Sequence, residues 1–368
     1  MVDEKICAWL LKNADAPIRY RVFKELLGDA KAAQDMEAEL LETPVVLQWM
    51  GNLKPKNPPQ HHLMEHGSFD FCLENAILKA VQLGLHGGMP QVVDAVAYYL
   101  DKMESVSMQI PARDIDFRSG FDRMLTSNLL SLAHINNAAI EHYMQVSLDE
   151  LHRFAQKADY DLYYTEDEKS GLKGIPKVWK NRKIIKRSLL CENGFCYPFI
   201  YDIAGLHILY ALNNREVTDK INAVIGYIST DVFHDTVPDG YGIISADKNK
   251  YFSMGWDPKY PGWYDVERYL AEGNVPKLLF FLQHIVKYPA ARETNWFKTL
   301  LQCLGQYQTD SGTYLFPTQW LKESQGYAVL GSHVSFGENR RKGNWREVES
   351  TFFMQLLRRD YCADKAHF

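Results

Sequence analysis

Three absences limit the partners and the location of this chain of 368 residues. It has no surplus of positive charge, because 46 acidic residues outweigh 41 Lys and Arg, so no nucleic-acid partner is expected. It has no apolar run of about 20 residues, so no transmembrane segment is expected. Its six cysteines are thinly spread, and its first residues lack the pattern of a signal peptide. Together these features predict a cytoplasmic protein with reduced thiols.

A sustained alternation of apolar and polar residues is also missing, apart from short strand candidates such as Gly242-Ile243-Ile244-Ser245. Apolar residues instead recur three and four positions apart, as on one face of an amphipathic helix, and this spacing predicts an all-α chain. The predicted helices pair as 18–27 with 31–41, 69–86 with 90–104, 198–212 with 217–230, and 275–287 with 295–307. Further helical stripes lie at about 121–142, 147–158 and 345–360.

An antiparallel helix pair buries only one face of each helix, so the pairs must stack or close into a ring. We predict a single domain over 1–368, an (α/α) toroid of about five or six pairs, with an open superhelix as the alternative. Long polar loops separate the pairs, and long loops are usually functional. We interpret the loop 159–195, the weakest candidate for a domain boundary, as an ordered excursion of this domain.

The common motifs of nucleotide, acyl and metal chemistry are absent. The sequence has no GxGxxG before a helix, no GxxxxGK[ST], no HExxH and no GxSxG. No cofactor is therefore predicted. Asp70 and Cys72, with His134 from another helix, have the composition of an open zinc site. A lone cysteine at a helix start is more often a small buried side chain, so no metal site is predicted.

The most unusual segment, 251–264, holds six aromatic residues in fourteen. Its prolines prevent a regular helix, and its rings are costly to leave in water, at about 25 cal/mol per Å² of apolar area. We therefore expect the loop 239–267 to cover one mouth of the toroid, with Trp256, Tyr260 and Trp263 facing the cavity. Tyr241 is a further candidate for binding a substrate there.

Carboxyl groups accompany these rings. Asp239 and Asp257 flank the aromatic cluster, and we expect one of them to be partly desolvated, with a raised pKa and the ability to donate a proton. Tyr201 and Asp202 are the candidates for the opposite wall of the cavity. Asp202 has a second interpretation, as a first-turn residue that stabilises the helix dipole.

Asp114 and Asp116 form another candidate acid pair. In extended backbone, two residues at i and i+2 point to the same side, so one carboxyl could be held protonated by the other. Capping of a loop is the alternative role for this pair.

Several short stretches resemble the α/α-toroid superfamily of terpenoid cyclases and protein prenyltransferases, particularly its uncharacterised bacterial branch. The stretch 15–20, with 26–28, looks like the N-terminal helix pair of that branch. The stretches 46–51 and 308–314 look like degenerate copies of the Gln-…-Gly-x-Trp repeat of squalene-hopene cyclases, and 198–203 and 345–357 look like the later helices of the branch. The Asp-x-Asp-Asp acid of class II cyclases is incomplete here, because Phe117 follows Asp116. Asp70, Cys72 and His134 match only part of the prenyltransferase zinc set. The resemblance thus implies a barrel of paired helices with a central cavity, and it transfers no activity.

Three functions are consistent with these features. The first is a terpenoid-cyclase-like protein that binds, and transforms by acid/base chemistry, an apolar or polycyclic small molecule in the cavity. The second is a carbohydrate-active hydrolase or lyase, since such enzymes also use the (α/α) toroid, and the third is a non-catalytic scaffold. A closed pocket walled by Phe, Leu and Tyr favours the first, and an open groove with two carboxyl groups beside a Trp favours the second.

Overall fold

The fold is mainly helical. The computed structural model describes residues 3–54, 65–109, 117–191, 194–210, 214–247 and 250–362. Of these residues, 62% are helical and 5% lie in strands. The predicted helical character is confirmed, but the strict all-α class is wrong, because a small three-stranded sheet is present. No helix within the described ranges is long and apolar enough to cross a membrane.

The first half of the chain forms helices with conventional caps. Asp3 and Asn137, for example, accept backbone N–H groups at the starts of their helices. A π-helical turn, Val22–Leu27, ends at Gly28, whose positive φ of 66° suits glycine. The helices are α1 (Glu4–Asn13), α2 (Ala16–Arg21), α3 (Ala30–Glu42), α4 (Pro44–Leu53), α5 (Leu73–Gln82), α6 (Pro90–Gln109), α7 (Phe117–Leu132), α8 (Ala138–Gln156) and α9 (Glu166–Ser170).

The second half is more interrupted. The predicted stripe 198–212 forms two short helices rather than one. The helices are α10 (Ile200–Gly205), α11 (His207–Tyr210), α12 (Arg215–Ile228), α13 (Asp231–Thr236), α14 (Val266–Glu272), α15 (Val275–Ile285), α16 (Pro289–Arg292), α17 (Asn295–Gly305) and α18 (Trp345–Cys362). Short 3₁₀ turns lie at Lys177–Trp179, Arg187–Leu189, Thr318–Leu321 and Ala328–Leu330.

The small sheet anchors the loop 159–195 to the rest of the chain. Its strands are β1 (Ile184–Ile185), β4 (Gly242–Asp247) and β5 (Lys250–Met254), while β2 (Leu190–Cys191) and β3 (Gly194–Phe195) form a separate hairpin. Strand β1 pairs with β4 in parallel, and β5 pairs with β4 antiparallel. The strand candidate at Gly242–Ser245 is therefore confirmed, and β5 carries the start of the aromatic segment.

Five helices and two turns form a continuous series of contacts. Helix α5 packs on α7, α7 on α10, and α10 on α15. Helix α15 contacts the turns Thr318–Leu321 and Ala328–Leu330, which in turn contact α18 and α5. The predicted pairs 18–27 with 31–41 and 198–212 with 217–230 do pack together. The other two predicted pairings are not the main contacts, because α5 packs chiefly on α4 and α7, and α17 on α14 and α16.

The α7–α10 contact depends on a glycine. The α carbon of Gly205 lies so near Asn128 that a side chain there would collide with the Asn128 amide oxygen. Asn128 also donates to Asp202 Oδ1 at 2.8 Å. The two helices are therefore joined by close backbone approach and by a buried hydrogen bond.

A buried charged network links α5 and α18 to the loop 322–338. Lys79 is 1% exposed, and its Nζ donates to Glu323 and to the carbonyl and hydroxyl oxygens of Ser335 at 2.7 and 2.8 Å. Glu349, on α18, accepts the backbone N–H groups of Phe336 and Glu338. Burial raises the pKa of the Glu349 carboxyl to about 7. The partners of Lys79 lie about 250 positions away along the chain, so the network joins two distant parts of it.

Replacement of Lys79 tests the importance of this network. We expect Lys79→Met to lower the free energy of unfolding by about 3 kcal/mol, because it leaves a carboxylate and a carbonyl without their buried donor. Lys298→Met is the matched control, since Lys298 is 59% exposed and its pair with Glu293 should contribute less than about 1 kcal/mol. Urea unfolding of both variants measures the difference, and equal losses would contradict the role of Lys79.

Candidate functional site

An open groove of about 740 Å³ lies beneath the aromatic loop. Its walls come from the end of α13, the loop 237–240, the loop 255–265, helix α14 and the first turn of α15. Tyr260 and Trp263 line it, together with Tyr264 and Tyr269. Charged residues complete the lining: Asp235, Asp239, Asp257, Asp265, Glu272, Lys259, Lys277 and Arg268.

The aromatic wall is held by stacking and hydrogen bonds. Trp263 stacks on His234, with 4.1 Å between ring centroids and an interplanar angle of 11°, and its Nε1 donates to Asp231 at 2.7 Å. Tyr260 is buried beneath Trp263, and its hydroxyl lies 2.6 Å from that of Ser229. Tyr260 therefore anchors the loop, while Trp263 is the partly exposed ring that lines the groove.

Asp257 is the desolvated carboxyl of this groove. Its Oδ1 accepts the Tyr197 hydroxyl at 2.8 Å, and its buried Oδ2 has no hydrogen-bond partner within the described ranges. Burial raises the pKa of Asp257 to about 6, although Tyr197 and the charge of Lys277 both oppose this shift. Burial also lowers the pKa of Lys277. A carboxyl with such a pKa is protonated in part near neutral pH, so it can donate a proton and then accept one.

Asp239 lies at the rim of the same groove in a different environment. Its side chain is 97% exposed and forms an ion pair with Lys259 at 2.9 Å. Lys259 also donates to the carbonyl oxygen of Val237 at 2.8 Å. The two carboxyls that flank the aromatic cluster are thus one buried and one solvated group.

Two of the predicted aromatic residues lie elsewhere, and their predicted positions were wrong. Trp256 faces the core rather than the groove: it is 8% exposed and stacks on Phe121 at 4.3 Å. Its carbonyl oxygen accepts the N–H of Ile200 at 2.8 Å, which fixes the backbone here to the start of α10. Tyr241 is outside the groove lining, and Arg182 lies over its ring at 4.3 Å.

Tyr201 and Asp202 do not form the opposite wall of the groove, so this prediction was also wrong. Asp202 is a buried first-turn residue of α10, and its Oδ2 accepts the N–H of Phe199 at 2.8 Å. Burial raises the pKa of Asp202 to about 6. Asp202 therefore acts as a first-turn residue of α10, which was the second interpretation of its role. Asp114 and Asp116 lie outside the described residues.

A second polar cluster, which the sequence analysis missed, surrounds Glu74 at the start of α5. The fully buried Glu74 carboxylate accepts the Tyr201 hydroxyl and the N–H of Gly67, and it lies 2.9 Å from His66 Nδ1. Trp256 packs against the His66 ring at 5.0 Å. No motif marks His66 and Glu74, which are eight positions apart in a non-repetitive stretch, so only the fold shows their association.

The residues weighed for zinc are not brought together. Asp70 lies 3.6 Å from His333, whereas the His134 ring lies 6.1 Å from that of His207. Burial raises the pKa of the Cys72 thiol to about 11, which disfavours the thiolate that zinc requires. Within the described ranges, no group of three His, Cys, Asp or Glu residues is arranged to hold a metal ion.

The pH dependence of stability tests the environment of Asp257. Because its pKa rises from an ordinary 3.8 to about 6 on folding, it stabilises the fold at low pH, and this contribution is lost as the pH rises through 6. Relative to Asp257→Asn, the native protein should lose about 2 kcal/mol of unfolding free energy between pH 4.5 and 7. Urea unfolding across this range measures the difference. Asp239→Asn, the same change at a side chain that is 97% exposed, is the matched control.

No family model, curated protein or solved structure matches the chain. The function is therefore inferred from the groove, its aromatic wall and its two unlike carboxyl groups.

Proposed function

We propose that this protein is an α/α-toroid enzyme that hydrolyses a carbohydrate-like substrate in the groove, with Asp257 as the general acid. The observation that carries the proposal is a desolvated carboxyl of raised pKa on the wall of an open, aromatic-lined groove. Hydrolysis of a glycosidic bond requires such an acid, because the leaving oxygen must be protonated as the bond breaks.

The helix contacts support the toroid. The series α5, α7, α10 and α15 returns to α5 through the turn Ala328–Leu330. A small cavity is bounded by residues from α2, α5, α7, α15 and α18, as expected for helices that surround a common axis. The groove lies at the start of α15, where the loops of one toroid mouth would lie.

The lining of the groove favours a polyhydroxylated ligand over an apolar polycyclic one. An apolar ligand would desolvate the charged side chains of the lining without offering them hydrogen bonds, which is costly. A sugar supplies hydroxyl groups for residues such as Lys259 and Arg268, and an apolar face for Trp263. The volume of about 740 Å³ suits a ligand of a few sugar rings.

The two flanking carboxyls fit two different roles. Asp257, held by Tyr197, is the acid that protonates the leaving oxygen. Asp239, solvated and paired with Lys259, is the base that activates a water molecule. Two carboxyl groups in unlike environments at one site are the pattern that acid/base hydrolysis needs.

Kinetic analysis of single variants tests these roles. Neutral and acidic oligosaccharides would be screened for the release of reducing ends, and the best substrate kept. We expect Asp257→Asn to lower kcat at least about 100-fold through loss of the proton donor. Trp263→Ala should raise KM about tenfold by removing a stacking surface.

Matched aromatic variants separate binding from folding. Tyr241→Ala removes a ring outside the groove and should leave kcat and KM unchanged. Trp256→Ala empties a core position and should cost about 3 kcal/mol or more of unfolding free energy. Cleavage that survives Asp257→Asn at the native rate, or a KM that responds equally to Tyr241→Ala and Trp263→Ala, would contradict the proposed site.

A further inference from the structure

A second, smaller cavity lies at the other end of α15. It has a volume of about 70 Å³ and is bounded by residues of α2, α5, α7, α15 and α18. Apolar side chains such as Leu78, Leu132 and Phe280 form part of its wall. The rest is polar, and the cations outnumber the anions: Arg21, Gln82, Gln283, His284, Lys287, Arg359 and Asp360.

The two arginines of this cavity are already paired. Arg21 bonds Glu25 through Nε and Nη2, and its Nη1 donates to the carbonyl oxygen of Gln82 at 2.8 Å. Arg359 donates to Glu25 and to Asp360, each at 2.6 Å. Two positive and two negative charges therefore balance one another here.

Lys287 is the charge left over. It lines the cavity and is only partly exposed, and within the described ranges its ammonium group has neither a carboxylate partner nor a hydrogen bond. Burial lowers the pKa of Lys287 to about 8, so the group is still largely charged at neutral pH. The charges of Asp360 and Glu25 favour the charged form of Lys287 without forming a direct ion pair with it. A desolvated cation that no carboxylate contacts directly is unfavourable, and a bound anion would relieve this cost.

His284, in the last turn of α15, is the second unpartnered group, and Lys287 lies just beyond the end of that helix. Its side chain lines the cavity and is only 7% exposed, and its Nδ1 has no hydrogen-bond partner within the described part of the chain. Burial lowers the pKa of His284 to about 3, so the ring is neutral and carries one N–H donor. Buried polar groups are normally hydrogen-bonded, and in the tautomer that carries the proton on Nδ1 this orphan lacks an acceptor.

We propose that this cavity binds one small oxyanion, held by the Lys287 ammonium and the His284 ring. Its volume admits about two water molecules or one anion of four or five heavy atoms. Inorganic phosphate and the carboxylate of a small organic acid share the required chemistry, which is oxygen acceptors with negative charge. This site is separate from the groove of Asp257, so its failure and that of the proposed hydrolysis are distinguishable.

The competing explanation is that Lys287 only balances the negative end of α15. Cations near the C-terminus of a helix are stabilising without any ligand. The two explanations predict opposite effects of removing Lys287 on the stability of the anion-free protein. If Lys287 serves the helix end, its removal destabilises the anion-free protein, whereas an uncompensated cation that awaits a ligand should cost stability when no anion is present.

Calorimetry and thermal unfolding of the full chain distinguish them. Phosphate and acetate would be titrated separately at constant ionic strength, in a buffer without other oxyanions. We expect saturable binding of at least one of them with a rise in Tm, weakened at least tenfold in Lys287→Met and several-fold in His284→Leu. Lys298→Met, the same change at an exposed position, should bind as the native protein does. In anion-free buffer, the Tm of Lys287→Met should equal or exceed the native value.

Three results would overturn the proposal. One is the absence of saturable binding of both anions to the native protein. Another is equal binding by Lys287→Met and Lys298→Met, which would make the effect a general one of salt. The third is a lower Tm of Lys287→Met in anion-free buffer, which would assign Lys287 to the helix end.

Discussion

The buried ammonium of Lys79 is the interaction on which the arrangement of the helices depends. It connects α5 to Glu323 and Ser335, and the same loop is held to α18 because Glu349 accepts its backbone N–H groups. A charge buried this deeply is tolerated only where each of its donors is used, so the network specifies one position for a long, irregular loop. That loop carries the turn Ala328–Leu330, through which α15 and α5 come together.

The loop 255–265 shows how one backbone contact divides a segment between structure and site. The N–H of Ile200 binds the carbonyl oxygen of Trp256, and the ring of Trp256 packs against Phe121 and His66. The next residue, Asp257, is left beside the groove, where Tyr197 satisfies only one of its oxygens. The apolar ring of Trp256 thus packs in the core, while the carboxyl of the next residue, Asp257, lies beside the polar groove.

Most of the helices that could be predicted followed from the spacing of apolar residues along the sequence. A long amphipathic helix such as α12 follows from apolar spacing, and a short apolar run predicts part of β4. The stripe 121–142 misleads, because α7 ends at Leu132 and His134 adopts a positive φ of 55° without a glycine or proline to signal it. Helix pairing beyond neighbours in sequence depends on tertiary contacts, such as that of Gly205 with Asn128, which no local pattern encodes.

For the candidate site, the aromatic composition of 251–264 indicated which segment to examine, but it did not indicate which way each side chain points. Tyr260 and Trp263 line the groove, because rings in a segment that cannot be helical must pack onto a concave surface. Trp256 was misplaced, since neither the helical nor the strand period applies in an irregular loop. His66, Glu74 and Lys277 were missed, because their significance comes from partners far away in the sequence.

The separation along the chain of Lys79 from Glu323 and Ser335 has a consequence for biosynthesis. At a typical elongation rate of about 5–20 residues per second, the roughly 250 residues between them take on the order of 10–50 seconds to make. During that interval α5 has been synthesised, but its ammonium has no partner and its apolar face lacks the loop 322–338. We therefore expect nascent chains of this protein to stay partly assembled over this interval and to present apolar surface, as do the species that molecular chaperones bind.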